Sequence, residues 1–251
     1  MDSLQLARAL AAPIQTIGAA FYFDPGTRER AHELGLNAYE FYGLGRAGVM
    51  GDVEPARVLE VFAFFSPAAI EGIYSGPRAR RAPLATARDH LEAAYAFAER
   101  TFGALGPDTL ERVGAGGRRV AEGARAGEAP LAEGYLAIAD PVEPLHRGYL
   151  GAILLRELRG GVYLGALRAL GVSPAAASYL EGADSFALHG FTDADAPEVT
   201  DELRAARAAA EDRTDERMAE LLGALDGSAD EFAAVVAAMR AALDEPVAAG
   251  H

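Results

Sequence analysis

Ser228-Ala229-Asp230-Glu231-Phe232-Ala233-Ala234-Val235-Val236-Ala237-Ala238-Met239-Arg240-Ala241-Ala242-Leu243 sets Phe232, Val235, Val236, Met239 and Leu243 at i, i+3, i+4, i+7 and i+11. That spacing is one face of an α-helix. Glu231, three residues after Ser228, reads as a capping box opening it. The same grammar recurs upstream. Asp24-Pro25, Glu54-Pro55, Ser66-Pro67 and Ser173-Pro174 each put a capping residue before a proline, and proline at the first helical position gives up no hydrogen bond. Val58, Leu59, Val61, Phe62 and Phe65 then follow Pro55 at helical spacing. No stretch alternates apolar and polar residues over six positions, and alanine stands where β-branched residues would be needed. The reading is an all-α helical bundle with room for one minor β-hairpin.

Composition removes whole classes of function. Among 251 residues there is no cysteine, which excludes disulfides, thiolate zinc sites and thiol nucleophiles. All 23 basic residues are arginine, so Schiff-base and P-loop lysine chemistry are absent. The formal net charge of −14 disfavours a nucleic-acid backbone as partner. No apolar run is long enough for a membrane span, and Met1-Asp2-Ser3 opens nothing like a secretory signal. A cytoplasmic protein, with no metal or other cofactor, is expected.

Three blocks follow from composition: an aromatic-rich unit at 1–76, a second helical unit at 84–190, and acidic helices at 191–251 that cover the core or a partner subunit, with a homodimer preferred. Ser75 to Pro83, holding the basic knot Arg78, Arg80 and Arg81, reads as an exposed connector. Tyr149-Leu150-Gly151-Ala152 and Tyr163-Leu164-Gly165-Ala166 flank Gly160-Gly161, where a helix should break into a hairpin. The last residues, 247–251, should fray.

Candidate chemistry is sparse. The five histidines show no i, i+4 pairing. His146 opens the most apolar helix, with Glu157 on the same face about three turns on, too far for direct contact without curvature or a bridging ligand; these two are the candidate acid–base residues if the protein is an enzyme. Tyr39, Phe41, Tyr42 and Arg46 are interleaved with Gly43, Gly45, Gly48 and Gly51, glycines that would open space for a pocket. A binding site lined by Tyr39, Tyr42, Phe62, Phe65 and Tyr163, with Arg46 or Arg156 as anchor, would take a mainly apolar ligand with one anionic group.

The runs Tyr22-Phe23-Asp24-Pro25 to Leu36, Gly45 to Gly51, Val61 to Pro67, and Leu154-Leu155-Arg156-Glu157-Leu158-Arg159-Gly160 to Leu167 occur in order over residues 14–190. In this the chain resembles an actinobacterial family of SalK-like, helix-turn-helix proteins. The resemblance implies tandem degenerate winged-helix-like units and raises DNA binding as a function. The family pattern carries histidines where this chain has Ser66, Leu150, Leu158 and Tyr163, so a metal or haem site built on them would be missing, and the second wing looks shortened around 190–197. Three functions follow in order of preference: a small-molecule-binding protein, a metal-free enzyme of secondary metabolism using the same pocket, and a DNA-binding regulator.

Overall fold

Proline sets most of the helix starts. In a computed structural model describing residues 1–244, the helices are α1 Ser3–Ala19, α2 Pro25–Glu33, α3 Ala38–Ala47, α4 Pro55–Val61, α5 Pro67–Ile70, α6 Gly76–Arg78 and α7 Pro83–Phe102. They continue as α8 Pro107–Glu122, α9 Pro130–Ile138, α10 Pro144–Ala169, α11 Pro174–Glu181, α12 Ala183–Leu188, α13 Asp201–Leu222 and α14 Ala229–Ala242. Asp24, Ser66 and Ser173 each accept a backbone N–H three residues on, at 3.1 Å. Glu54 makes no such bond and pairs with Arg78. Residues 247–251, where fraying was expected, lie outside the described residues.

No strand occurs among the described residues, so the minor β-hairpin is absent. Around 190–197 there is only a short 3-10 turn, Asp193–Asp195, closed by Thr192. One continuous core draws on all three sequence blocks, from Leu6 through Tyr135 and Leu155 to Met239, with a smaller cluster around Tyr163 and Leu167.

The axle of the fold is α10, flanked by α1, α7, α8, α9 and α13. Its tightest neighbour is α8, and glycine explains why. Gly114 and Gly117 of α8 face Gly148 and Gly151 of α10; a methyl on Gly117 would lie 2.6 Å from the Gly151 carbonyl oxygen. The helix does not break at Gly160-Gly161 as expected. It runs on to Ala169, because Gly161 serves a close approach by the Ala129 backbone and not a turn. The chain reverses instead at Gly171, where φ is +69°.

Two further expectations are corrected. Ser228 and Glu231 form no capping box: the Ser228 hydroxyl donates to the Leu225 carbonyl and Glu231 pairs with Arg112. The apolar face of α14 does form, and Phe232, Val235, Val236 and Met239 are buried against this chain's own α1 and α8. Residues 75–83 are exposed only in part and are tied down on both sides. Pro77 is buried, and Arg78, Arg80 and Arg81 pair with Asp52 and Glu54, with Glu40, and with Asp89.

Candidate functional site

Four elements place a cluster of charge inside the bundle. The last turn of α3 carries Arg46, α10 carries Arg156 and Glu157, α4 ends beneath Phe62, and the 3-10 turn after α1 supplies Tyr22. Arg46 donates through Nε to Glu157 Oε1 at 2.9 Å and through Nη2 to Oε2 at 2.6 Å, a bidentate fork. Arg156 donates to Glu157 Oε1 as well, and Arg46 Nη1 donates to the Tyr42 hydroxyl at 2.9 Å. Arg46 also lies over the Phe62 ring at 4.6 Å and Arg156 over Tyr22 at 5.3 Å. The side chains are 13, 11 and 1 % exposed for Arg46, Arg156 and Glu157.

Burial alone would push the Glu157 carboxyl up, but the two guanidiniums outweigh it and hold it below the ordinary carboxylate range. Two cations therefore share one anion, and the cluster keeps one uncompensated positive charge away from bulk water.

His90 of α7 sits beside this cluster, 1 % exposed, parallel to Tyr22 at 5.6 Å and edge-on to Phe41. Burial first, and Arg46 second, pull its pKa down to about 3. The folded protein thus holds His90 neutral where the unfolded chain takes up a proton. Below an unfolded pKa near 6.5, stability should fall by about 1.4 kcal/mol per pH unit, continuing down to about pH 3. Urea unfolding at pH 7, 6, 5 and 4 measures that slope, and His90→Gln, if folded, should flatten it between pH 6.5 and 5.

A cleft of about 460 Å³ opens over the charge cluster. Its floor is one stripe of α10: Glu157, Gly160, Gly161, Leu164, Gly165 and Arg168. One wall is α4 and the turn after it, with Arg57, Glu60, Phe62, Phe64 and Phe65; the other is the 125–131 loop with Arg213 and Arg217 of α13. Of the residues singled out from sequence, Arg46, Glu157, Phe62 and Phe65 line it. Tyr42 stands behind Arg46, Tyr39 donates its hydroxyl to the Leu188 carbonyl, and Arg156 holds Glu157 from the side. Tyr163 stacks on Phe64 at 6.0 Å in the smaller core cluster.

His146 is brought nowhere near Glu157. It stacks on Tyr95 at 4.4 Å and bonds Glu99 at 2.8 Å, while eleven residues of unbroken helix separate it from Glu157 by about 16 Å. Gly43, Gly45 and Gly48 do not open space either. Ile73, the His90 ring and the Pro83 carbonyl press onto them, so these glycines buy close helix approach and the cleft lies elsewhere. The rim arginines Arg57, Arg125, Arg168, Arg213 and Arg217 escaped sequence reading, since each looks locally like an ordinary solvated charge.

Ser66 caps α5, Leu150 and Leu158 are core, and Tyr163 stacks on Phe64. Among the described residues no group of three or more histidines, cysteines or carboxylates is placed to hold a metal ion. No helix among the described residues is long and apolar enough to cross a membrane.

No curated protein and no solved structure matches the chain. One family does, described as a helix-turn-helix family, over residues 7–191. That span covers α2 through α12, most of α1, and the whole floor of the cleft. The chain belongs to this helix-turn-helix family.

Proposed function

We propose that the protein binds a small molecule with an apolar body and anionic character in the cleft above Glu157. One observation carries this reading. In a chain of net charge −14, six arginines and three glutamates line a single cleft, and its floor meets a buried cluster with one surplus positive charge. Phe62, Phe65, Val162 and Leu164 supply the apolar contact. Dodecanoate should bind in one equivalent by native mass spectrometry, and at about a hundred times its dissociation constant it should raise Tm by about 5–10 °C. Dodecanol and dodecyltrimethylammonium should bind weakly. Equal binding of all three, or of none, overturns the proposal.

Family membership favours a second reading, a DNA-binding regulator. Against it stands the charge, together with the engagement of Arg78, Arg80 and Arg81 by carboxylates. Fluorescence anisotropy on mixed-sequence duplex DNA decides: binding that weakens steeply with salt supports it, and no binding at low salt removes it. Within the family, the motifs quoted above support placing this chain as a divergent SalK-like member.

A further inference from the structure

We infer that the ligand of the cleft is elongated and carries an anionic group at each of its two ends. This rests on the proposed cleft reading and sharpens it. The starting observation is a pair of glycines. Gly160 and Gly165 lie inside α10, where glycine is unfavourable relative to alanine, yet among the described residues nothing lies within 4 Å of where a Cβ would stand on either. Gly161 between them has a packing reason, the Ala129 backbone; Gly160 and Gly165 have none. What they keep clear is the floor of the cleft.

Cationic groups stand at both ends of that floor. Near Gly161, the loop and α13 are locked together by Arg217, which forks onto Glu128 at 2.8 and 2.9 Å. Two other arginines lining the cleft at this end, Arg125 and Arg213, make no ion pair through their guanidiniums among the described residues, although the Arg125 backbone N–H donates to Glu128 at 2.8 Å. At the far end Arg168 donates to the Glu60 backbone carbonyl at 2.6 Å, again with no carboxylate among the described residues. Along α10, Gly161 and Arg168 are seven residues apart, about 10 Å. Gly165, Leu164 and Phe64 fill the interval with smooth or apolar surface.

Arg46 cannot serve as either end. Its Nε and Nη2 are engaged by Glu157 and its Nη1 by Tyr42, so it has no free fork for a second carboxylate. It supplies charge at depth, and the rim arginines supply recognition. A linear chain with a carboxylate at each terminus matches this layout.

The test compares dodecanedioate with dodecanoate by isothermal titration calorimetry on the full chain. The dicarboxylate should bind about tenfold tighter. Arg168→Gln should bring it down to the level of the monocarboxylate, which itself should change little. Gly165→Leu should abolish binding of both while melting higher than the parent protein, so lost binding there is not unfolding. Equal affinity for the two probes in the parent protein overturns this inference and leaves the cleft reading standing. Failure of both probes to bind overturns the two together.

Discussion

Replacing Glu157 with glutamine is expected to destabilise the protein by about 3–5 kcal/mol, because it strands two buried guanidiniums without a counter-charge. Arg46 and Arg156 converge on this one carboxylate, and no other acidic side chain bonds either of them among the described residues. Urea unfolding at pH 7 measures the loss. A change below about 1 kcal/mol would mean that the arginines behave as a surface pair. The variant also carries a pH signature. The folded carboxyl is held below its ordinary value of 4.5, so its contribution is complete above that pH and disappears as pH falls through the folded pKa. Acid unfolding of the parent should therefore steepen below about pH 4.5, and that added steepness should be missing in Glu157→Gln. The His90 slope begins two pH units higher and runs on to about pH 3, so the Glu157 effect is read as the added steepness below pH 4.5.

Gly117→Ala is expected to lose about 2–3 kcal/mol although alanine is the better helix former. The added methyl would meet Gly151 at 2.6 Å from its carbonyl oxygen and 2.8 Å from its Cα. Both are backbone atoms of the central helix and cannot step aside, so α8 and α10 must separate along the whole contact. Gly165→Ala, on the open side of the same central helix, should change stability in the opposite direction by about 0.5–1 kcal/mol. Thermal melts of the pair read both signs; a stabilised Gly117→Ala would show that the two helices tolerate a wider spacing.

The contrast between these glycines marks where sequence reading stops. Proline-led starts, serine caps and the Phe232–Met239 stripe are local signals, and they yielded an all-α bundle correctly. Gly160-Gly161 looked like a break because a glycine pair has no Cβ either in a turn or at a crossing, and only Ala129, some thirty residues away, distinguishes the two. The Ser228 box failed for a similar reason. Its glutamate found Arg112 on another helix. Arg46 and Glu157 were singled out separately, but nothing local couples positions 111 residues apart. The rim arginines lie on four different segments and become a group only when α4, α10, α13 and the 125–131 loop meet.

The position of α1 has a consequence for how the chain is made. Leu6, Leu10, Ile14 and Ile17 are buried, and the helix rests on α10, α13 and α14. These partners leave the ribosome long after it does: α13 starts at Asp201, some 180 residues beyond the end of α1. At about 5–20 residues per second, the apolar face of α1 waits roughly 10–35 s for its cover. Helix α1 thus emerges well before the helices that cover it, and its leucine and isoleucine stripe stays open to solvent until they arrive.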